Sequence, residues 1–236
     1  MNISREHLYS GQIVPIDKPV NWTSFDVVNK LRSVSKIRKV GHAGTLDPFA
    51  TGLLLVCFAK ATKSVEKLMG LPKEYIARFK FGVETDSHDI TGKVVQEFAP
   101  IDLTIDRLEA VLKNYRGEIE QIPPMYSALK VRGKKLYEYA REGKTIIREP
   151  RPVTIYELTV LELNNDECVL KICCSKGTYI RSLARDIGRD LKSGAFISEL
   201  RRTRIGDYHI DSAFKIEDFI SALKENKPSN ECLSRD

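Results

Sequence analysis

GHAGTLDPFATGLLLVCF, residues 41–58, is the stretch on which the reading of the fold turns. Glycines at 41 and 44 let the backbone take φ/ψ values closed to other residues and approach a ligand closely. Pro48 pushes Asp47 toward an extended, fixed conformation. From Gly52 the chain becomes continuously apolar through Leu53, Leu54, Leu55 and Val56, the signature of a buried strand. A carboxylate is thus displayed on a tight loop that opens directly into the core. Taken alone, Leu46-Asp47-Pro48 equally marks an Asx turn closing a loop. Its place between a basic run, Lys36 to Lys39, and a buried strand argues for chemistry.

Upstream, Lys36 to Ala50 reads as loop. Ser24 to Val34 reads as a helix with Phe25, Val28 and Leu31 at threefold spacing and Ser24 as its N-cap. Gln12 to Ile16 reads as a short strand ended by Pro15 and Pro19, and the polar start, Met1 to Gly11, has no signal-peptide core. Downstream, Tyr75, Ala77, Phe79 and Phe81 alternate as a strand does. Thr104 to Tyr115 is an amphipathic helix with Ile105, Leu108, Val111 and Leu112 facing inward. Gln121 to Pro152 is basic and proline-bounded. It reads as an insertion that leaves the core and returns, holding a strand (Ser127 to Val131) and a short helix (Leu136 to Glu142). Val153 to Leu163 and Cys168 to Cys174 are strands joined by the Asn164-Asn165-Asp166 turn. Tyr179 to Leu191 is a helix with Ile180, Leu183, Ala184, Ile187 and Leu191 on one face and Arg181, Arg185 and Arg189 on another. Phe196 to Ile205 is a strand, Ile216 to Leu223 a helix, and 224–236 a polar, frayed tail. Strands and helices mix without strict alternation. The expected fold is α+β, with a mixed, largely antiparallel sheet flanked by helices.

The 236 residues carry 38 Lys plus Arg against 32 Asp plus Glu, and the pI is near 9.0. The excess is clustered. Lys130 to Arg151 holds eight basic and three acidic residues; Lys30, Arg32, Lys36, Arg38 and Lys39 have no acid among them; Arg201, Arg202 and Arg204 form a third patch. Each alone suits a solvated face, but three together point to phosphate contacts. The five cysteines include no C-x-x-C. They read as reduced core thiols of a cytoplasmic protein. The longest apolar run, Leu53 to Ala59, is too short to span a bilayer. Asp86, His88 and Asp89 superficially suit a divalent-metal turn but lack calcium-loop spacing, and no phosphate loop or dinucleotide fingerprint is present. Neither metal nor cofactor is expected.

Two further motifs bear on chemistry. In Lys176-Gly-Thr-Tyr179-Ile-Arg181, Gly177 turns strand into helix, Thr178 is the expected N-cap, and Arg181 sits in the first helical turn, where it can hold a carboxylate bidentately. In Lys73-Glu-Tyr75, Tyr75 suits base stacking or proton transfer. The chemistry implied is a carboxylate acting as nucleophile or base.

With Asp17-Lys-Pro and Ala50-Thr-Gly-Leu-Leu, these motifs resemble, in order, those of the TruB family of tRNA pseudouridine synthases, of the bacterial type. The likeness runs from about Gly11 to about Ile205. It implies a pseudouridine-synthase-like fold and isomerisation of uridine 55 in the tRNA T-loop: the base is flipped, detached from its ribose, rotated and rejoined through C5. Asp47 is then the nucleophile, at C1′ or C6. Tyr75 is the stacking tyrosine, and Arg181 partners the carboxylate with Asp89 sharing that arginine. His42 supports the flipped base, Tyr179 and Leu200 line the uracil pocket, and Lys18 packs beneath the loop. The domain expected is 1–223, with 121–152 as a thumb that clamps the T-arm through Lys130, Arg132, Lys134 and Lys135, helped by Lys36, Arg38 and Lys39. The family's additional C-terminal RNA-binding PUA domain is not expected, and the protein is expected to act as a monomer. Two other readings stay open: a non-catalytic RNA-binding module, which the basic patches alone would serve, and a nucleoside hydrolase using Asp47 and Asp89.

Overall fold

The computed structural model describes residues 3–226. In chain order the elements are α1 (Arg5–Gly11), β1 (Ile13–Lys18), α2 (Ser24–Ser35), β2 (Val40–His42), β3 (Thr51–Phe58), α3 (Val65–Gly70), β4 (Lys73–Phe81), β5 (Val83–Thr85), β6 (Val94–Glu97), α4 (Ile105–Leu112), β7 (Gly117–Gln121), β8 (Lys130–Val131), β9 (Lys134–Lys135), α5 (Leu136–Arg141), β10 (Arg151–Leu163), β11 (Glu167–Cys174), α6 (Ile180–Asp190), β12 (Ala195–Ile205), β13 (Tyr208–His209) and α7 (Ile216–Glu225). They gather into two compact units. One takes in the chain up to Gly70 and the stretch from Arg204 onward; the other is Leu71–Thr203. The fold is α+β, and the strand ladders within each unit are antiparallel.

In the first unit β3 is the organising strand. It pairs antiparallel with β1 (Ile13↔Cys57 to Lys18↔Gly52) and with β2 (Val40↔Phe58 to His42↔Val56). Its residues from Gly52 to Phe58 are all buried, which accounts for the unbroken apolar run. Leu54, Val56 and Phe58 meet Val27, Val28 and Leu31 of α2, Leu8 of α1 and Phe219 and Leu223 of α7 in one core. The Phe58 and Phe219 rings stack at 6.0 Å between centroids. Burying each such side chain contributes roughly 1.5–3 kcal/mol.

Five expectations for this unit need correction. Pro15 lies inside β1 rather than ending it. The N–H of Asp17 donates to Phe214 O and the N–H of Phe214 to Pro15 O, so odd-numbered β1 residues point away from β3 and the missing proline N–H costs no bond to it. The α2 N-cap is Thr23, whose hydroxyl accepts from Asp26 N while the Asp26 carboxylate accepts from Thr23 N, a reciprocal capping box. Phe25 is 59% exposed, beneath the Arg32 guanidinium, and the inner face is Val27, Val28 and Leu31. The stretch from Lys36 to Ala50 contains β2, because Val40 is drawn into the core opposite Phe58. The helix α1, capped by Ser4, lies where only a polar start was read.

In the second unit the strand order is β12-β4-β11-β10-β7. β4 alternates buried and outward residues along its length, as its sequence predicts. Its outward Arg78 reaches Glu167 on β11 at 2.8 Å and Glu199 on β12 at 3.4 Å. The helix of α4 ends at Leu112 and tightens into a 3-10 turn to Tyr115, with Ile105 exposed rather than inward. Gln121 at the end of β7 pairs with Arg151 at the start of β10, so the chain leaves and re-enters the sheet at neighbouring residues. Between them the expected Ser127–Val131 strand shrinks to β8, which pairs with β9 around Arg132-Gly133; both have positive φ, as a tight primed hairpin turn requires. The α6 N-cap is Tyr179; the Thr178 hydroxyl instead donates to Ser175 O. Arg181 and Arg185 are buried with the apolar face of α6, and Arg202 of the third basic patch is 1% exposed, so none of the three is a solvated phosphate contact.

Cys57, Cys168, Cys173 and Cys174 are buried thiols outside any disulfide; burial pushes Cys57 up to about 11 and Cys168 and Cys174 up to about 12. Of the expected tail, 224 and 225 close α7, and 227–236 lie outside the described residues. Among the described residues no helix is long and apolar enough to cross a membrane.

Candidate functional site

Asp47, His42 and Lys18 belong to the first unit; Tyr75, Asp89, Tyr179, Arg181 and Leu200 belong to the second.

The Asp47 loop runs from the end of β2 to the start of β3, and its backbone is pinned on both sides of the aspartate. The Ser24 hydroxyl, at the start of α2, accepts from Leu46 N at 2.9 Å and donates to Leu46 O at 3.3 Å. Lys18, fully buried at the end of β1, donates from Nζ to Pro48 O at 3.2 Å, to Trp22 O at 2.6 Å and to Pro19 O at 2.9 Å. Three carbonyls compensate the desolvation of one ammonium, which an apolar enclosure would otherwise forbid. Within the loop Ala50 N donates to Asp47 O at 3.1 Å, and Gly44 takes φ +98, open to glycine at little cost. Leu46, Phe49 and Ala50 are buried while Asp47 is half-buried. His42 ends β2 opposite Val56, half-buried. Lys36, Arg38 and Lys39 are exposed between α2 and β2.

In the second unit, Arg181 and Asp89 are brought together. Arg181 Nη1 is 3.5 Å from Asp89 Oδ2 and donates to Ser87 O at 3.1 Å, while Nη2 donates to Tyr126 O at 2.7 Å. Asp89 Oδ1 accepts from the Ser87 hydroxyl at 2.8 Å, Thr91 N at 2.9 Å and the Thr91 hydroxyl at 2.5 Å. The Asp89 carboxylate is thereby bonded to Ser87 and Thr91 and faces the Arg181 guanidinium. The same loop bears His88 at φ +60. Burial, with the cationic Arg185, Arg189 and Arg181 nearby, holds its imidazole down at about 3, so it is neutral at pH 7. Glu84 of this loop pairs with Arg189 at 2.5 Å.

Tyr179 is half-buried at the N-cap of α6. Gln121 grips its backbone: Oε1 accepts from Tyr179 N at 2.8 Å and Nε2 donates to Tyr179 O at 3.1 Å. Tyr75 on β4 and Leu200 on β12 are 9% and 7% exposed. Lys73, on the same side of β4 as Tyr75, donates to Leu71 O at 2.7 Å. Burial first, then the Arg202 charge, lowers its ammonium to about 8.

The basic excursion presents its cations unequally. Lys130 and Arg132 are exposed. Lys134 pairs with Glu142 and lies over the Tyr139 ring, and Lys135 lies over the Tyr137 ring, 5.3 Å from its centroid. Sequence reasoning missed Ser24 as a loop anchor, Gln121, and the Ser87 and Thr91 donors. The spacing Ser87-His-Asp89-Ile-Thr91 is an Asx-turn signal that names the last pair; nothing in the sequence names Gln121.

Comparison with known proteins shows what the chain is similar to. The family described as TruB family pseudouridylate synthase (N terminal domain) matches residues 32–180, and the tRNA pseudouridylate synthase B C-terminal domain matches 181–235. The chain is 47% identical to tRNA pseudouridine synthase B of Endomicrobium trichonymphae, over 89% of this chain and 91% of that one. It is 44% identical to the protein of that name from Phocaeicola vulgatus, over 92% and 95%. Among solved structures, a chain of a Cbf5-Nop10-Gar1 complex superposes with a TM-score of 0.71 at 31% identity, covering 92% of this chain and 55% of that one.

Proposed function

The chain belongs to the TruB family of pseudouridylate synthases, an isomerase acting on tRNA, and from that premise we propose that it converts uridine 55 of the T-loop with Asp47 as nucleophile. The supporting observation is the Asp47 loop, whose backbone is anchored through Leu46 and Pro48 by Ser24 and Lys18. A nucleophile needs a fixed position, and this anchored loop supplies one.

Uridine and pseudouridine are isomers: the C1′–N1 bond breaks, a C1′–C5 bond forms, C5 loses its proton and N1 gains one. Electrons and atoms balance without an oxidant or an energy source. The target uracil leaves its stack at a cost of roughly a few kcal/mol. In this reading His42 pushes into the T-loop and supports the flipped base, Tyr75 stacks on the uracil and takes part in the C5 proton step, and Tyr179 and Leu200 bound the base. Arg181, held by Asp89, keeps the Asp47 carboxylate ionised. Exposed Lys130, Arg132, Lys36, Arg38 and Lys39 meet the T-arm backbone, while Lys134 and Lys135 also brace the tyrosines of the excursion. The protein acts as a monomer in the cytoplasm.

Tritium release from a tRNA transcript labelled at uridine C5 tests the reading. Wild type is expected to release tritium with no free uracil, and Asp47→Asn to bind tRNA but release none. Equal release by both would overturn Asp47 as nucleophile; free uracil would make the protein a hydrolase; no release by either, with tRNA bound, would make it a binding module.

A further inference from the structure

We propose that Gln121 is a positioning residue for the reaction, the pin of a latch that ties the root of the basic excursion to the helix turn bearing Tyr179 and Arg181. This rests on the function proposed above.

The observation is a set of bonds gathered at one place. Gln121 is the last residue of β7, paired in the sheet with Arg151, and is 2% exposed. Its backbone belongs to the sheet and its side chain to α6. The amide both accepts from Tyr179 N and donates to Tyr179 O, at 2.8 and 3.1 Å. A flipped amide would set donor against donor and oxygen against oxygen, so these partners fix its orientation. The next residues of the excursion are held by the same helix. The Ser182 hydroxyl donates to Ile122 O at 2.9 Å, Arg185 Nη2 donates to Ile122 O at 3.4 Å, and Arg181 Nη2 donates to Tyr126 O at 2.7 Å. Pro123 and Pro124 stiffen the segment between these bonded carbonyls.

Bonds of this kind to carbonyls carry no sequence-specific chemistry of their own. Their common effect is register: they set how deep the first turn of α6 lies and in which direction Arg181 leaves it. The Tyr179 side chain makes no cap bond to the first turn of α6, and Gln121 bonds the peptide groups on both sides of Tyr179. Arg181 has one nitrogen on the excursion and the other on the Ser87–Asp89 loop, so its guanidinium bridges the two. Movement of the excursion on RNA is therefore felt at the group assigned to the reacting carboxylate. Clamping and alignment become one event, and RNA that is bound without drawing the excursion into place is bound without being processed.

The test separates binding from chemistry. Gln121→Met keeps the volume and removes both bonds; Ser182→Ala removes one bond at a site that tolerates a smaller side chain. Each full-length variant is compared with wild type for tRNA affinity, for single-turnover tritium release at saturating enzyme, and for melting temperature. The expected result is a single-turnover rate lowered by roughly ten- to a hundredfold for Gln121→Met, as small misplacements of reacting groups produce. Ser182→Ala is expected to lose less rate; affinity is expected to stay near wild type in both, and melting to fall by roughly a few degrees as buried bonds are lost. Unchanged rates in both variants would overturn the latch, as would affinity falling in step with rate. Should Gln121→Met fail to fold, the Ser182→Ala rate decides alone. Wild-type release in the same experiment distinguishes failure of the latch from failure of the function: a wild type that makes no pseudouridine refutes the function itself.

Discussion

Two loops of this protein each carry a buried or half-buried aspartate, and different neighbours hold each of them. Around Asp47 the anchors named above fall on backbone: Ser24 on Leu46, Lys18 on Pro48, and Ala50 on the carbonyl of Asp47 itself. Around Asp89 the anchors fall on the carboxylate, which takes Ser87, Thr91 and Arg181. The first loop is braced along its backbone on both sides of its aspartate, and the second is gathered onto its aspartate and presents an arginine.

That contrast can be broken most directly by exchanging each carboxylate for its amide. Asp47→Asn is expected to lower the single-turnover rate by on the order of 10⁴-fold or more, as loss of a nucleophile does, with the melting temperature unchanged. Asp89→Asn sets an NH₂ against Arg181 and is expected to lose about 3 kcal/mol of stability, visible in denaturant melts, with a smaller loss of rate. Equal profiles for the two variants would erase the distinction.

The anchors give a second, smaller test. Lys18→Met removes the ammonium from three carbonyls and is expected to lower the rate roughly tenfold through a loosened Asp47 loop, with tRNA affinity retained. A wild-type rate would mean that the loop holds its shape without Lys18. Thr91→Val, on the other side of the comparison, removes a single hydroxyl from Asp89 and is expected to cost about 1 kcal/mol of stability with little change in rate.

The buried lysines sharpen the point. Lys18 is wrapped by three carbonyls, whereas burial and the Arg202 charge lower Lys73 to about 8. A lysine with a depressed folded pKa binds its proton more weakly folded than unfolded. Its unfavourable contribution is complete below pH 8 and fades as pH rises from 8 through the ordinary lysine value. Lys73→Met is accordingly expected to be more stable than wild type at pH 7, by at most roughly 3 kcal/mol, with the gain shrinking toward pH 10. A gain that does not depend on pH would show that packing, not charge, is responsible.

Legibility followed the same division. Features carried by consecutive residues were readable: the buried strand that follows the Asp47 loop, the alternating β4, the apolar stripe of α6 and the proline-bounded excursion. What the sequence did not announce were bonds made across long separations. Ser24 reads as an N-cap, yet its hydroxyl serves Leu46, 22 residues away. Gln121 reads only as the first residue of the insertion, yet it holds Tyr179, 58 residues on. Arg202 looked like surface charge because local pattern does not reveal which strand residues face the interior. Burial of Phe25 and Ile105 was misjudged for the same reason: spacing gives a stripe but not its edge.

The pairing of Gln121 with Arg151 has a last consequence, for what the sheet can measure. Both feet of the excursion stand on neighbouring strands, so the ladder between β7 and β10 closes in the same register whatever lies between them. Doubling such a stretch adds only about 0.6 kcal/mol of closure entropy. Beyond the few residues fastened to α6, this is a place where chain can be gained, shortened or exchanged while the rest of the architecture goes on folding as before.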